Sequence, residues 1–78
     1  MKKIWHKTEE GDYPKVFGEY CQKQYPQIPC LVELQYKYCI CYWNVVEDCW
    51  DDEEGDDYFC RKEDVTRWSY LEDLINLK

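Results

Sequence analysis

Six residues in the middle of the chain, Tyr38-Cys39-Ile40-Cys41-Tyr42-Trp43, set the tightest limit on its fold. Side chains of an extended strand alternate between faces, so Tyr38, Ile40 and Tyr42 share one side and Cys39, Cys41 and Trp43 the other. Both sides are apolar, which suits a central strand covered on two faces. The chain has only 78 residues, and a chain of that size buries only ~60% of its unfolded surface. Two outcomes are open. Either the sheet curls into a small barrel, or one aromatic face stays partly exposed and marks a partner or dimer surface.

The flanking segments extend this β pattern. Cys30, Val32 and Leu34 alternate with Leu31 and Glu33, and a turn at residues 35–37 leads into the aromatic strand. If residues 45–48 form a four-residue loop, Trp43 falls opposite Trp50, an aromatic cross-strand pair that contributes up to ~1 kcal/mol. Further strand material is Tyr58-Phe59-Cys60 and the run from Asp64 to Leu71. The N-terminal Lys2-Lys3-Ile4-Trp5-His6-Lys7 reads as a short edge strand with Ile4 or Trp5 turned inward. Val16, Phe17, Tyr20 and Cys21 stand at near-helical spacing after Pro14, which predicts a helix over residues 15–24, weakened by Gly18. The tail from Leu71 reads as a last helical turn or a frayed end. The expected fold is one domain, residues 1–78. It is α+β or mostly β: an antiparallel sheet of four to five strands with one short helix near residues 15–24.

Composition narrows the class. The chain is 45% hydrophobic and carries eight Tyr, four Trp and two Phe, whereas disordered chains lack the aromatic area that offsets ordering entropy. No apolar run follows the first lysines and no stretch has the ~20 apolar residues of a membrane span, so a cytoplasmic location is expected. In a reducing compartment six cysteines are six thiols.

The net charge is −7, and Asp51-Asp52-Glu53-Glu54-Gly55-Asp56-Asp57 holds most of it. Without those six carboxylates the charge is −1, so the acidity is local. It repels phosphate, which argues against direct nucleic-acid or membrane binding. An EF-hand with Gly55 in sixth place would put Trp50 first and Arg61 twelfth, so that pattern fails. The run reads as a solvated loop.

The cysteines lack the usual zinc spacing of two to four residues between paired ligands. Cys39 and Cys41 share a face, but a rise of ~3.4 Å per residue sets them about 7 Å apart along the strand. Core packing is the ordinary role of such thiols. A metal site drawn from Cys30, Cys39, Cys41, Cys49 and Cys60 is the alternative. Catalytic material is sparse: His6 lies in a polar terminal stretch and reads as a surface histidine, and Ser69, Thr8 and Thr66 form no recognisable nucleophile motif. No phosphate-cradling glycine loop is present. No enzyme activity and no cofactor are implied.

The pattern Ile4-Trp5, then Cys30-Leu31-Val32, then Ile40 and Tyr42, then Trp50-Asp51-Asp52, closing on Val65-Thr66-Arg67-Trp68, resembles the Domain of Unknown Function five-fifty-one family of small phage and gut-bacterial proteins. The similarity covers about residues 30–71. The connection from Trp5 to Cys30 is longer than the family's, and its proline-rich ending is replaced by Ser69-Tyr70-Leu71. The resemblance implies a compact β-rich fold with Trp5, Trp50 and Trp68 in the core, in a bacterial or phage setting. It carries no activity.

The expected function is a non-enzymatic protein-interaction module. Its candidate surface is Tyr36, Tyr38, Tyr42 and Trp43 with a charged rim of Asp51, Asp52, Glu53, Glu54, Asp56 and Asp57. The rim favours a basic protein partner, with a homodimer as a second way of covering the face. The alternatives are a cysteine-based metal-binding domain and an acidic mimic of DNA that inhibits a DNA-binding enzyme.

Overall fold

The structure, a computed structural model, describes residues 3–16, 24 and 26–76. The helix expected near residues 15–24 falls mostly outside the described residues. The described elements are β1 (His6–Lys7), β2 (Gln27–Glu33), β3 (Tyr38–Asn44), β4 (Cys49–Asp51), β5 (Tyr58–Arg61), β6 (Arg67–Tyr70) and α1 (Leu71–Ile75). Short 3-10 turns occupy Thr8–Glu10 and Lys62–Asp64. The described strands form one antiparallel sheet in the order β1-β6-β2-β3-β4-β5. The fold is mostly β with a short helix, and β1 makes the strand count six rather than five.

β2 to β5 form a meander, and the chain then crosses over to place β6 between β1 and β2. Residues 45–48 make the four-residue turn that sets Trp43 opposite Trp50, with Asp48 taking the left-handed conformation (φ 58°). Their rings meet edge to face, centroids 4.9 Å apart. β2 begins three residues earlier than the alternation from Cys30 suggested, and it includes Pro29. Proline lacks the N–H that a central strand must donate. Pro29 is tolerated because its nitrogen points toward β6, whose ladder stops at the Cys30–Tyr70 pair before the chain turns into α1.

One face of the sheet is the core: Ile28, Cys30 and Val32 from β2, Cys41 and Trp43 from β3, Trp50 from β4 and Trp68 from β6, with Val65 from the crossover. β4 and β6 lie three strand spacings apart, roughly 14 Å in a flat sheet at ~4.8 Å each. The Trp50 and Trp68 ring centroids nonetheless stand 6.5 Å apart. The sheet therefore curls around its core face. Tyr13 closes the concavity by stacking on Trp43 at 5.3 Å, and Lys62 of the crossover lies over the same Tyr13 ring. The Thr8 hydroxyl donates to the Val65 and Thr66 carbonyls, which pins the N-terminal segment to the crossover.

The edge strand turns His6, not Trp5, onto the core face. His6 stacks on Trp68 at 4.2 Å and its Nδ1 lies 2.8 Å from Asp12 Oδ2. The reading of His6 as a surface histidine is corrected: its flat ring covers the indole better than a flexible chain could, and a neighbouring carboxylate satisfies one nitrogen. Trp50 and Trp68 are fully buried, as the tryptophan pattern implied, while Trp5 lies half-buried on the opposite face.

Candidate interaction surface

The face turned away from the core is an open surface with three zones, set by the strand register. At one end Arg67 lies over the Trp5 ring, 4.4 Å from its centroid, and donates to Glu33 Oε2 at 3.1 Å and to the Tyr38 hydroxyl at 3.2 Å. Tyr38 in turn donates to Glu33 at 2.6 Å. This network spans β6, β2 and β3 and holds Tyr38 upright. Tyr38 and Arg67 each donate a hydrogen bond to the Glu33 carboxylate, which keeps it below the usual glutamate range.

The middle zone is apolar. Leu31 and Ile40 are direct cross-strand neighbours, with Ile40 42% and Tyr38 54% exposed. Tyr36, in the turn between β2 and β3, is 90% exposed. With Tyr36, Tyr38 and Ile40 exposed, the open aromatic face anticipated from the alternation is present alongside the curl.

At the far end the acidic loop folds back onto the sheet. Gln27 Nε2 donates to Asp51 Oδ2 at 2.7 Å and to the Gly55 carbonyl at 2.7 Å, and Asn44 Nδ2 donates to the same Asp51 oxygen at 2.9 Å. Gly55 sits at φ 73°, with so little room that a Cβ there would stand 3.3 Å from Gln27 Oε1. Glycine permits both the left-handed backbone and this close approach. Asp52 Oδ1 accepts the N–H groups of Glu54 at 3.2 Å and Asp56 at 3.1 Å. Desolvation opposes ionisation of Asp52, but backbone donors from Asp56, Asp57, Glu54 and Gly55 outweigh it and hold the carboxyl below its ordinary value.

Two members of the expected surface are thereby displaced. Trp43 is 3% exposed and belongs to the core, because it alternates with Tyr42 and must face the other way. Asp51 is 6% exposed and is a structural acceptor, since it stands in register with Tyr42 at the end of β4, before the loop begins. Asp52 serves mainly to shape the loop. Glu53, Glu54, Asp56 and Asp57 are exposed and form the acidic rim. The Asp51–Gln27–Asn44 cluster was not legible in the sequence, where Asp51 is indistinguishable from its acidic neighbours.

The cysteines divide between the faces. Cys30 and Cys41 are cross-strand neighbours in the core, Cys60 stands opposite Trp50, and Cys49 lies on the outer face with its sulfur 4.0 Å from Asp51 Oδ1. Cys39 and Cys41 bring their sulfurs to 3.7 Å, closer than the strand rise alone suggested, because the side chains lean toward each other. Two ligands of one tetrahedral zinc, at bonds of ~2.3 Å, would stand at a similar separation. Yet no group of three or more His, Cys, Asp or Glu among the described residues could hold a metal ion. Burial pushes the Cys30 and Cys41 thiols far up and Cys60 to about 11, while burial and then Asp51 raise Cys49. These shifts favour the protonated, non-ligating form.

Comparison of the chain with family models, curated proteins and solved structures finds no match. Among the described residues no helix is long and apolar enough to cross a membrane.

Proposed function

We propose that the domain is a non-enzymatic protein-interaction module of bacterial or phage origin that binds a basic protein surface. The observation carrying this reading is the juxtaposition of an exposed apolar strip, Tyr38 and Ile40 with Tyr36 beyond its end and half-buried Tyr42 under the acidic loop, and a rim of four exposed carboxylates. Apolar contacts supply affinity at the centre of such a surface, and rim charge chiefly speeds encounter and selects the partner's sign. The Trp5–Arg67–Glu33–Tyr38 network fixes the aromatic rotamers before binding, which lowers the ordering cost on association.

The test is affinity capture from a lysate at low salt, with quantitative mass spectrometry. Ile40→Asp should abolish capture of whichever basic protein the wild type retains. The Glu53→Gln, Glu54→Gln, Asp56→Asn, Asp57→Asn variant should lower capture severalfold at low salt and leave it unchanged at high salt. Identical captured proteins for wild type and Ile40→Asp refute the reading. A stable dimer in sedimentation that dissociates on Ile40→Asp assigns the face to self-association instead.

A further inference from the structure

β3 is longer than β4, and the difference leaves a slot in the sheet. β4 ends at Asp51 opposite Tyr42, so on that side no described strand pairs with β3 from Tyr38 to Cys41. Residues of an antiparallel strand point their peptide groups alternately at one neighbour and the other. The Leu34 N–H donates to the Lys37 carbonyl at 2.8 Å, and the Val45 N–H to the Pro26 carbonyl at 3.2 Å. These two bonds fix the phase at both ends of the hairpin. The Val32–Cys39 and Cys30–Cys41 pairs then exchange hydrogen bonds with each other, and the N–H and C=O groups of Tyr38 and Ile40 point away from β2 into the slot.

The slot is a cavity of about 310 Å³. The edge of β3 from Cys39 to Cys41 forms one wall and Phe59 contributes to the other, while Asp52, Glu53 and Glu54 line it on the loop side and Lys37 lies at the hairpin end. Lys37 Nζ stands 5.8 Å from the centre of the Phe59 ring, so its side chain reaches toward that wall. Peptide donors and acceptors on a strand edge are a template for another chain.

We propose that this slot accepts an extended basic segment of a partner protein, which adds to β3 as a short strand in the line a longer β4 would occupy. Strand addition draws affinity from main-chain hydrogen bonds and specificity from alternate side chains. Three residues of such a segment span roughly 10 Å, matching the free run from Cys39 to Cys41. The carboxylates of Asp52, Glu53 and Glu54 beside the slot select Lys or Arg side chains. The inference takes the interaction reading as its premise and names a second contact, at the β3 edge beside the outer face, that shares Ile40, Glu53 and Glu54 with it.

The test is an amide-resolved NMR titration of the full chain with three synthetic peptides: Lys-Val-Lys-Val-Lys, Glu-Val-Glu-Val-Glu, and Lys-Val-Pro-Val-Lys, whose central residue cannot donate. The Lys-Val-Lys-Val-Lys peptide should saturate with its largest shifts at the Ile40 and Phe59 amides. The other two should bind at least tenfold more weakly. The Glu53→Lys, Glu54→Lys variant, altered only at exposed loop positions, should weaken the lysine peptide tenfold. Equal binding of the three peptides, failure to saturate, or shifts that leave Ile40 unmoved overturn strand addition. So does protection of the Ile40 amide by a second copy of the chain. If the peptide titration fails while Ile40→Asp still abolishes capture, strand addition falls and the interaction reading stands.

Discussion

Replacing Asp51 by Ala tests whether the acidic loop is held by one buried carboxylate. Asp51 is 6% exposed and accepts from Gln27 at 2.7 Å and Asn44 at 2.9 Å. Each hydrogen bond to a charged group contributes ~1.5–3 kcal/mol. Gln27 keeps its bond to the Gly55 carbonyl, and the half-buried Asn44 amide can turn to water, so the loss falls near the lower end, ~2–3 kcal/mol in total. A domain of this length holds only ~4–12 kcal/mol of stability. At ~4–8 °C per kcal/mol for a chain of this size, the melting temperature should fall by about 10–20 °C. Asp56→Ala, on the exposed part of the same loop, should change stability by no more than ~0.5 kcal/mol. Both are measured by thermal melts followed through the near-UV circular dichroism of the tryptophan cluster. A double-mutant cycle with Gln27→Ala should show a coupling of at least ~1 kcal/mol. Equal melting temperatures for Asp51→Ala and Asp56→Ala, or additive effects of Asp51→Ala and Gln27→Ala, refute the reasoning.

Further outcomes follow from the same geometry. Trp43→Ala removes the ring packed against both Trp50 and Tyr13 and should cost ~3–5 kcal/mol in urea unfolding, whereas Tyr36→Ala should cost less than ~0.5 kcal/mol. The buried thiols make the domain sensitive to alkali. The folded Cys30 and Cys41 keep their protons above the ordinary thiol value of 9.0, while the unfolded thiols lose theirs. The native state then binds more protons, so stability falls as pH rises above about 9, by up to ~1.4 kcal/mol per pH unit for each proton retained. Cys60, raised to about 11 but partly wet, adds a smaller share with the same sign. Urea midpoints between pH 8 and pH 10.5 should drop less steeply for Cys30→Ala than for the wild type, and identical slopes would sink the assignment.

Local alternation determined much of this molecule. Tyr38 to Trp43 announced a strand with two apolar faces, and the seven-residue step from Trp43 to Trp50 announced their pairing, because strand period and turn length are short-range properties of the chain. The sequence also located the acidic loop and the packing role of Cys30 and Cys41. Other features depended on contacts between residues far apart in sequence. Pro29 within β2 is acceptable only because β6, about forty residues later, stops one pair short of it. His6 faces inward because the crossover carries Trp68 beside it. Asp51 is buried, and Asp56 is not, because β4 ends in register with Tyr42 within reach of Gln27 and Asn44. The open edge of β3 arises from the unequal lengths of β3 and β4, which no periodicity encodes. Periodicity assigns each side chain to a face; which face is covered, and by what, is settled when the sheet curls and distant segments close over it.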